Sequence, residues 1–86
     1  MSQDKILIKK QILAARGLLE MTQAELAEAA GISVQALNAI EQGKSIPRLS
    51  TSERIREACE RRGIEFTNSD NPGVRLIRAN AIIPPK

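Results

Sequence analysis

Uncharged amide side chains at helical spacing are the residues of this sequence best suited to molecular recognition. Gln35, Asn38 and Gln42 fall on one face of a helix, at about 100° per residue. Ala39 lies on the same face, and Val34 lies at its flank, where it can also pack at the core edge. An amide can donate and accept hydrogen bonds at once, which suits DNA base edges, adenine especially. A polar face turned to solvent is the alternative, although such faces more often carry Glu and Lys.

A short helix is predicted just before this segment. Thr22 and Glu25 form a capping box, so the helix should begin at Gln23. Gly31 supplies the left-handed residue that ends such a helix. The apolar stripe of this helix consists of Leu26, Ala27 and Ala30.

The amide-bearing helix follows after a tight turn. Ser33 caps its N-terminus, and Gly43 closes it. Leu37 and Ile40 point away from the amides, toward a core. Two helices this short cannot bury their apolar faces against each other alone. Both therefore need support from the rest of the chain.

These residues together resemble the helix-turn-helix of the Cro/lambda-repressor-like transcriptional regulators, the XRE family. The resemblance rests on T-Q-A-E-L-A from Thr22, A-G-I-S from Ala30, the apolar pair Leu37 and Ile40, and the closing I-E-Q-G-K. It extends from about Ile12 to Ile55, roughly half the chain. It implies a mainly α fold, a lambda-repressor-like bundle of four helices, and sequence-specific binding to double-stranded DNA.

The amide chemistry and the resemblance together assign roles to individual residues. Base contacts are expected from Gln35 and Asn38, with apolar contacts to thymine methyl groups from Val34 and Ala39. Contacts to DNA phosphates are expected from Gln23, Ser33, Gln42, Lys44 and Arg48. Family members use the residue matching Gln23 to hold a phosphate and often to support a recognition-helix side chain. An exposed polar residue in a first helical turn is the alternative for Gln23.

The resemblance also implies a structural ion pair. In the family, an arginine near the end of the first helix often pairs with a glutamate late in the recognition helix. Arg16 and Glu41 occupy the matching positions. Such a pair would hold the recognition helix against the scaffold.

The charge distribution is uneven. The chain of 86 residues has a net charge of +3, which favours an anionic partner. The stretch from Met21 to Gly43 nevertheless contains three acidic residues and neither Lys nor Arg. Phosphate contacts are therefore expected from helix N-termini, amides and the cations that flank this stretch.

The chain should begin with a helix from about Asp4 to Leu19. Its apolar face is formed by Ile8, Ile12, Ala15 and Leu19. Ile6 and Leu7 lie off this face, which suggests contact with a partner subunit. Lys5, Lys9 and Lys10 are interpreted as solvated side chains.

Another helix is predicted from Ser50 to about Arg62, with Ser50 and Glu53 as a second capping box. Gly63 should end it. Its buried side is expected to contain Leu49, Ile55, Ala58 and Cys59. Its solvated face alternates Arg54, Arg56, Arg61 and Arg62 with glutamates. Cys59 is interpreted as a core residue, because the sequence has no His to activate a thiol.

Alternating apolar residues after Gly63 predict a C-terminal β-hairpin around the turn N-S-D-N-P-G. This divides the chain into a helix-turn-helix domain at residues 1–63 and a dimerisation segment at residues 64–86. A lone hairpin is marginal in water, so it must pack on helices or pair with another chain. The residues expected to form a homodimer interface are Ile64, Phe66, Val74, Leu76 and Ile77.

The sequence offers no catalytic constellation, no metal-ligand set and no cofactor motif, so an enzyme is the least expected class. We find no signal-peptide layout or membrane span and expect a cytoplasmic protein. The sequence favours a dimeric DNA-binding transcriptional regulator, with repression the expected outcome. Two alternatives stay open: an antitoxin whose C-terminal segment binds a toxin, and a protein-interaction module that has lost DNA binding.

Overall fold

The computed structural model describes residues 7, 9–67 and 72–77. This part of the chain forms four helices and an antiparallel hairpin, which confirms the predicted fold class. The elements are α1 (Lys9–Leu19), α2 (Gln23–Ala30), α3 (Val34–Glu41), α4 (Leu49–Glu60), β1 (Ile64–Thr67) and β2 (Gly73–Leu76). None of the helices in these ranges is long and apolar enough to cross a lipid bilayer.

The start of α1 differs from the prediction. The helix begins at Lys9. Leu7 is not helical, so the prediction of a helix that starts near Asp4 and runs through Leu7 is wrong. Leu7 is buried within its own chain, not left for a partner subunit, and its N–H donates to Ser52 Oγ at 2.8 Å. The calls on Lys5, Ile6 and Ile8 lie outside the described residues.

The N-caps of α2 and α3 are as predicted, whereas the C-cap of α3 is Gln42, one residue before the left-handed Gly43. Glu25 N–H donates to Thr22 Oγ1 at 3.1 Å, and Thr22 N–H donates to Glu25 Oε1 at 2.8 Å. Gly31 has a φ of +72°, the left-handed conformation that a side chain would strain. Ser33 Oγ accepts the N–H of Ala36 at 3.0 Å and so starts α3.

The start of α4 corrects a second prediction. The N-cap is Arg48, without a side-chain capping bond, and Ser50 lies inside the helix, so there is no Ser50–Glu53 capping box at this N-terminus. The helix register instead turns the Ser52 hydroxyl into the interior, where it accepts the Leu7 N–H. Leu49, predicted to be buried, is 40% exposed.

One apolar core joins all four helices and the first strand. Its buried members are Leu7, Ile12, Ala15, Leu19, Leu26, Ala27, Ala30, Leu37, Ile40, Ile55, Ala58, Cys59 and Ile64. Burial raises the pKa of the Cys59 thiol from 9.0 to about 11. Cys59 is therefore a neutral core side chain at physiological pH.

The two strands pair antiparallel, with Ile64 opposite Leu76 and Phe66 opposite Val74, so these four residues share one face. This face packs on the core, and Ile64 is only 3% exposed. The assignment of Ile64 to a dimer interface is therefore corrected, because it has almost no surface left for a second chain.

Two further side chains fix the hairpin to the helices. The Gln11 amide nitrogen donates to the carbonyl oxygens of Thr67 at 2.9 Å and Gly73 at 3.2 Å, so one residue of α1 holds both strands. The Arg56 guanidinium lies 5.3 Å from the centre of the Phe66 ring. Arg56 is therefore partly packed, not fully solvated as predicted.

Candidate nucleic-acid interface

One face of α3 carries Gln35, Asn38 and Ala39, followed by Gln42 at the C-cap. This face is turned outward, because the opposite side of the helix is apolar and buried. Leu37 and Ile40 are buried in the core, whereas Gln35 is exposed and Val34 is 41% exposed. Ala39 is half-buried on the same face. Among the described residues, the Gln35 side chain has no hydrogen-bond partner, so both ends of its amide are available to a ligand.

Asn38 lies on this face but is not a free amide. It is half-buried, and its Oδ1 accepts hydrogen bonds from Gln42 Nε2 at 3.2 Å and from Gln23 Nε2 at 3.4 Å. Helical periodicity placed Asn38 on the correct face. It could not show that the carbonyl end of this side chain is already occupied.

Gln23, the first residue of α2, donates hydrogen bonds to two residues of α3. Its Nε2 donates to Glu41 Oε1 at 2.9 Å as well as to Asn38. An amide nitrogen has two protons, and here both are donated within the chain. A phosphate contact from the Gln23 side chain stays a prediction, and it would have to replace one of these two hydrogen bonds. The other donors at this helix end are the backbone N–H groups of its first turn, apart from that of Glu25, which Thr22 Oγ1 accepts.

Glu41 joins α3 to α1 through a bidentate ion pair. Arg16 Nε donates to Glu41 Oε2 and Arg16 Nη2 donates to Glu41 Oε1, both at 3.0 Å. The Glu41 side chain is 4% exposed and that of Arg16 is 25% exposed. Arg16 Nη1 also donates to the carbonyl oxygen of Met21 at 3.1 Å. The last residue of α3 is thus fixed to the first helix and to the segment before α2.

These contacts form a continuous polar network, which we define as Arg16, Glu41, Gln23, Asn38 and Gln42. A carboxylate can only accept hydrogen bonds, so Gln23 must turn its nitrogen toward Glu41. The second proton on that nitrogen then meets the Asn38 oxygen. A buried charge therefore sets the orientation of side chains at the surface.

The predicted phosphate contacts lie around α3. Ser33 is exposed, and its hydroxyl oxygen accepts a helix N–H while its proton stays available to a ligand. Lys44 and Arg48 are both exposed on the segment between α3 and α4. Gln42 is exposed, with its amide nitrogen turned toward Asn38.

Two cations near α3 were interpreted from the sequence only as solvated. A Cβ placed on Gly43 would lie 3.0 Å from Lys9 Nζ, so the Lys9 ammonium group lies against the C-terminal end of α3. Arg54 Nη1 donates to the carbonyl oxygen of Gly31, in the turn between α2 and α3, at 3.3 Å. No local pattern reveals either position, because both depend on packing between distant segments.

One of the three acidic residues of this region is neutralised by a cation, and a second accepts a capping hydrogen bond. Glu41 is paired with Arg16, and Glu25 accepts the Thr22 N–H in its capping box. Glu28 is the third acidic residue of the stretch and is exposed. The absence of Lys and Arg from Met21 to Gly43 is therefore a smaller obstacle to an anionic partner than the sequence suggests.

Comparison with known families agrees with this geometry. A family model described as helix-turn-helix matches residues 12–66, from α1 to β1 and more than half of the chain. No curated protein matches the chain significantly.

Proposed function

The chain belongs to the XRE family of DNA-binding helix-turn-helix regulators, and we propose that it represses transcription by binding a two-fold symmetric operator as a homodimer. The observation that carries this proposal is the outward face of α3. This face presents amides and small apolar groups and contains neither Lys nor Arg. It is therefore suited to reading base edges, not only to holding phosphates.

In the proposed complex, α3 lies in the major groove of double-stranded DNA. Gln35 contacts a base edge through both ends of its free amide, and Val34 and Ala39 contact thymine methyl groups. Two copies of the chain place their recognition helices in successive major grooves, with half-site centres about 34 Å apart.

Phosphate contacts surround this helix in the proposal. Ser33, Gln42, Lys44 and Arg48 are exposed around α3, and the N-terminus of α2 offers unpaired backbone N–H groups. Lys9 adds a cation near the end of α3. These contacts fix the position of the protein on the duplex and carry little sequence information.

We propose that the dimer forms through the C-terminal segment. Phe66, Val74, Leu76 and Ile77 are each half-buried in the single chain, so part of their apolar surface is still accessible. The hairpin has two strands in the described chain and leaves strand edges that a second copy can pair with.

The test is a selection from a pool of random duplexes. The proposal predicts enrichment of one two-fold symmetric site, with half-sites about one helical turn apart. Binding to this site should weaken steeply with salt, because each neutralised phosphate contributes about 0.9 to the slope of log K against log salt. An enriched site without symmetry would contradict the homodimer. Equal recovery of all sequences would contradict sequence-specific binding.

A further inference from the structure

We propose that Asn38 reads guanine and discriminates against adenine, because the polar network leaves it only hydrogen-bond donors. This inference rests on the proposed DNA-binding function and names the base that one residue of the interface selects. It departs from the simple expectation that an amide on a recognition helix suits adenine best.

The first step is the fixed orientation of Gln23. Its amide nitrogen lies 2.9 Å from Glu41 Oε1, and Glu41 is buried and held by two hydrogen bonds from Arg16. Turning the Gln23 amide around would place its carbonyl oxygen against a buried carboxylate, with no proton between them. Gln23 therefore keeps its nitrogen, with one further proton, on the side of Asn38.

The second step is the occupancy of the Asn38 carbonyl oxygen. Asn38 Oδ1 accepts from Gln23 Nε2 and from Gln42 Nε2, and a carbonyl oxygen has two lone pairs. The Gln42 amide can rotate, but the Gln23 amide is held by Glu41. Asn38 consequently keeps Oδ1 on Gln23, and both protons of Nδ2 have no partner in the described chain and are free to be donated to a base.

The third step is the pattern of groups in the major groove. Guanine presents two acceptors, N7 and O6, which match two donors. Adenine presents N7 as an acceptor but the N6 amino group as a donor. While Gln23 and Gln42 both donate to Oδ1, Asn38 has no free acceptor for that amino group. Gln35 has no such restriction in the described structure, so it can offer a donor and an acceptor together, as adenine requires.

The experiment compares base preferences of the wild type, Asn38→Ala, Gln42→Ala and Gln35→Ala in the same random-duplex selection. The wild type should prefer guanine at one position of each half-site. Asn38→Ala should lose that preference by on the order of ten-fold, whereas Gln35→Ala should alter a different position. Gln42→Ala frees one lone pair of Asn38, so the ratio of adenine to guanine should rise at the Asn38-dependent position.

Replacing that guanine with 7-deazaguanine gives a second readout. The analogue lacks the N7 acceptor, so it should weaken binding of the wild type and leave binding of Asn38→Ala nearly unchanged. These comparisons use ratios within one protein, so a uniform loss of affinity does not affect them.

Three results would overturn the inference. An adenine or thymine at the Asn38-dependent position of the wild-type site would contradict the two-donor assignment. An unchanged preference in Asn38→Ala would show that this residue reads no base. Failure of the wild type to enrich any sequence would overturn the proposed function together with this inference. The first two results, in contrast, would overturn the inference alone.

Discussion

Gln23 and Glu41 are joined by a hydrogen bond of 2.9 Å, which connects the first residue of α2 to the last residue of α3. The same carboxylate accepts two hydrogen bonds from Arg16 of α1. Three helices therefore meet at one buried group. This group adds polar contacts to the apolar core that also holds α3 against the other helices.

Arg16→Ala should destabilise the domain strongly. The substitution leaves the Glu41 carboxylate buried with only the Gln23 amide as a partner, and breaking one side of a buried ion pair costs roughly 3–5 kcal/mol. Thermal and urea unfolding measure this loss. Arg54→Ala, which removes an exposed arginine with a single backbone contact, is the matched control and should have a small effect. A melting temperature for Arg16→Ala close to that of the control would contradict the structural role of the pair.

Gln11→Leu should loosen the hairpin from the helices. Leucine has a side chain of similar size but cannot donate to the carbonyl oxygens of Thr67 and Gly73. Losing two hydrogen bonds to partly exposed carbonyl oxygens should cost about 1–3 kcal/mol in all, at roughly 0.5–1.5 kcal/mol each. Hydrogen exchange should therefore accelerate at the amides of both strands, with Lys10→Ala as the exposed control on the same helix. Exchange that is equally fast in Gln11→Leu and the wild type would show that Gln11 does not hold the hairpin.

The stability contributed by Cys59 should depend on pH in the alkaline range. Burial raises the pKa of this thiol from 9.0 to about 11, so the folded state favours the neutral form and the unfolded state ionises first. The contribution is complete below a pH of about 9 and is lost as the pH rises toward about 11. The difference in unfolding free energy between wild type and Cys59→Ala should therefore fall by roughly 2 kcal/mol between about pH 8 and pH 10.5. A difference that stays constant over this range would contradict the assignment of a buried neutral thiol.

The sequence predicted those parts of the fold that depend on nearby residues. The Thr22–Glu25 capping box, the Ser33 cap and the left-handed Gly31 each involve positions no more than four residues apart. Simple alternation also predicted the hairpin itself, although not its register. These elements place the recognition helix, so the outward face of α3 could be identified from the sequence alone.

Contacts between distant residues were not predictable in the same way. Leu7 and Ser52 are 45 residues apart, and the local capping pattern at Ser50 gives no sign of the hydrogen bond between them. The bonds from Gln11 to the hairpin span 56 and 62 residues. The resemblance suggested that Gln23 supports the recognition helix. No pattern indicated that the Gln23 amide nitrogen would donate to Asn38 Oδ1.

Lys44→Ala and Arg48→Ala should weaken binding to all duplexes alike. Both side chains are exposed beside α3 and are proposed to contact phosphates, which carry no base sequence. Each substitution should lower the slope of log K against log salt by about 0.9. Arg61→Ala removes an exposed arginine after α4 and serves as the control, for which the slope should not change. A changed sequence preference in Lys44→Ala or Arg48→Ala would assign that residue to base readout instead.

The most direct test of the central claim is the binding of Gln35→Ala to the selected site and to all its single-base-pair variants. Gln35 is exposed and has no side-chain partner in the described structure, so its loss should leave the melting temperature nearly unchanged. The account predicts reduced discrimination at one or two base pairs of each half-site, worth about 1–3 kcal/mol, with the remaining positions unaffected. An unchanged order of preference among all variants would contradict it, because the outer face of α3 would then not be reading the bases.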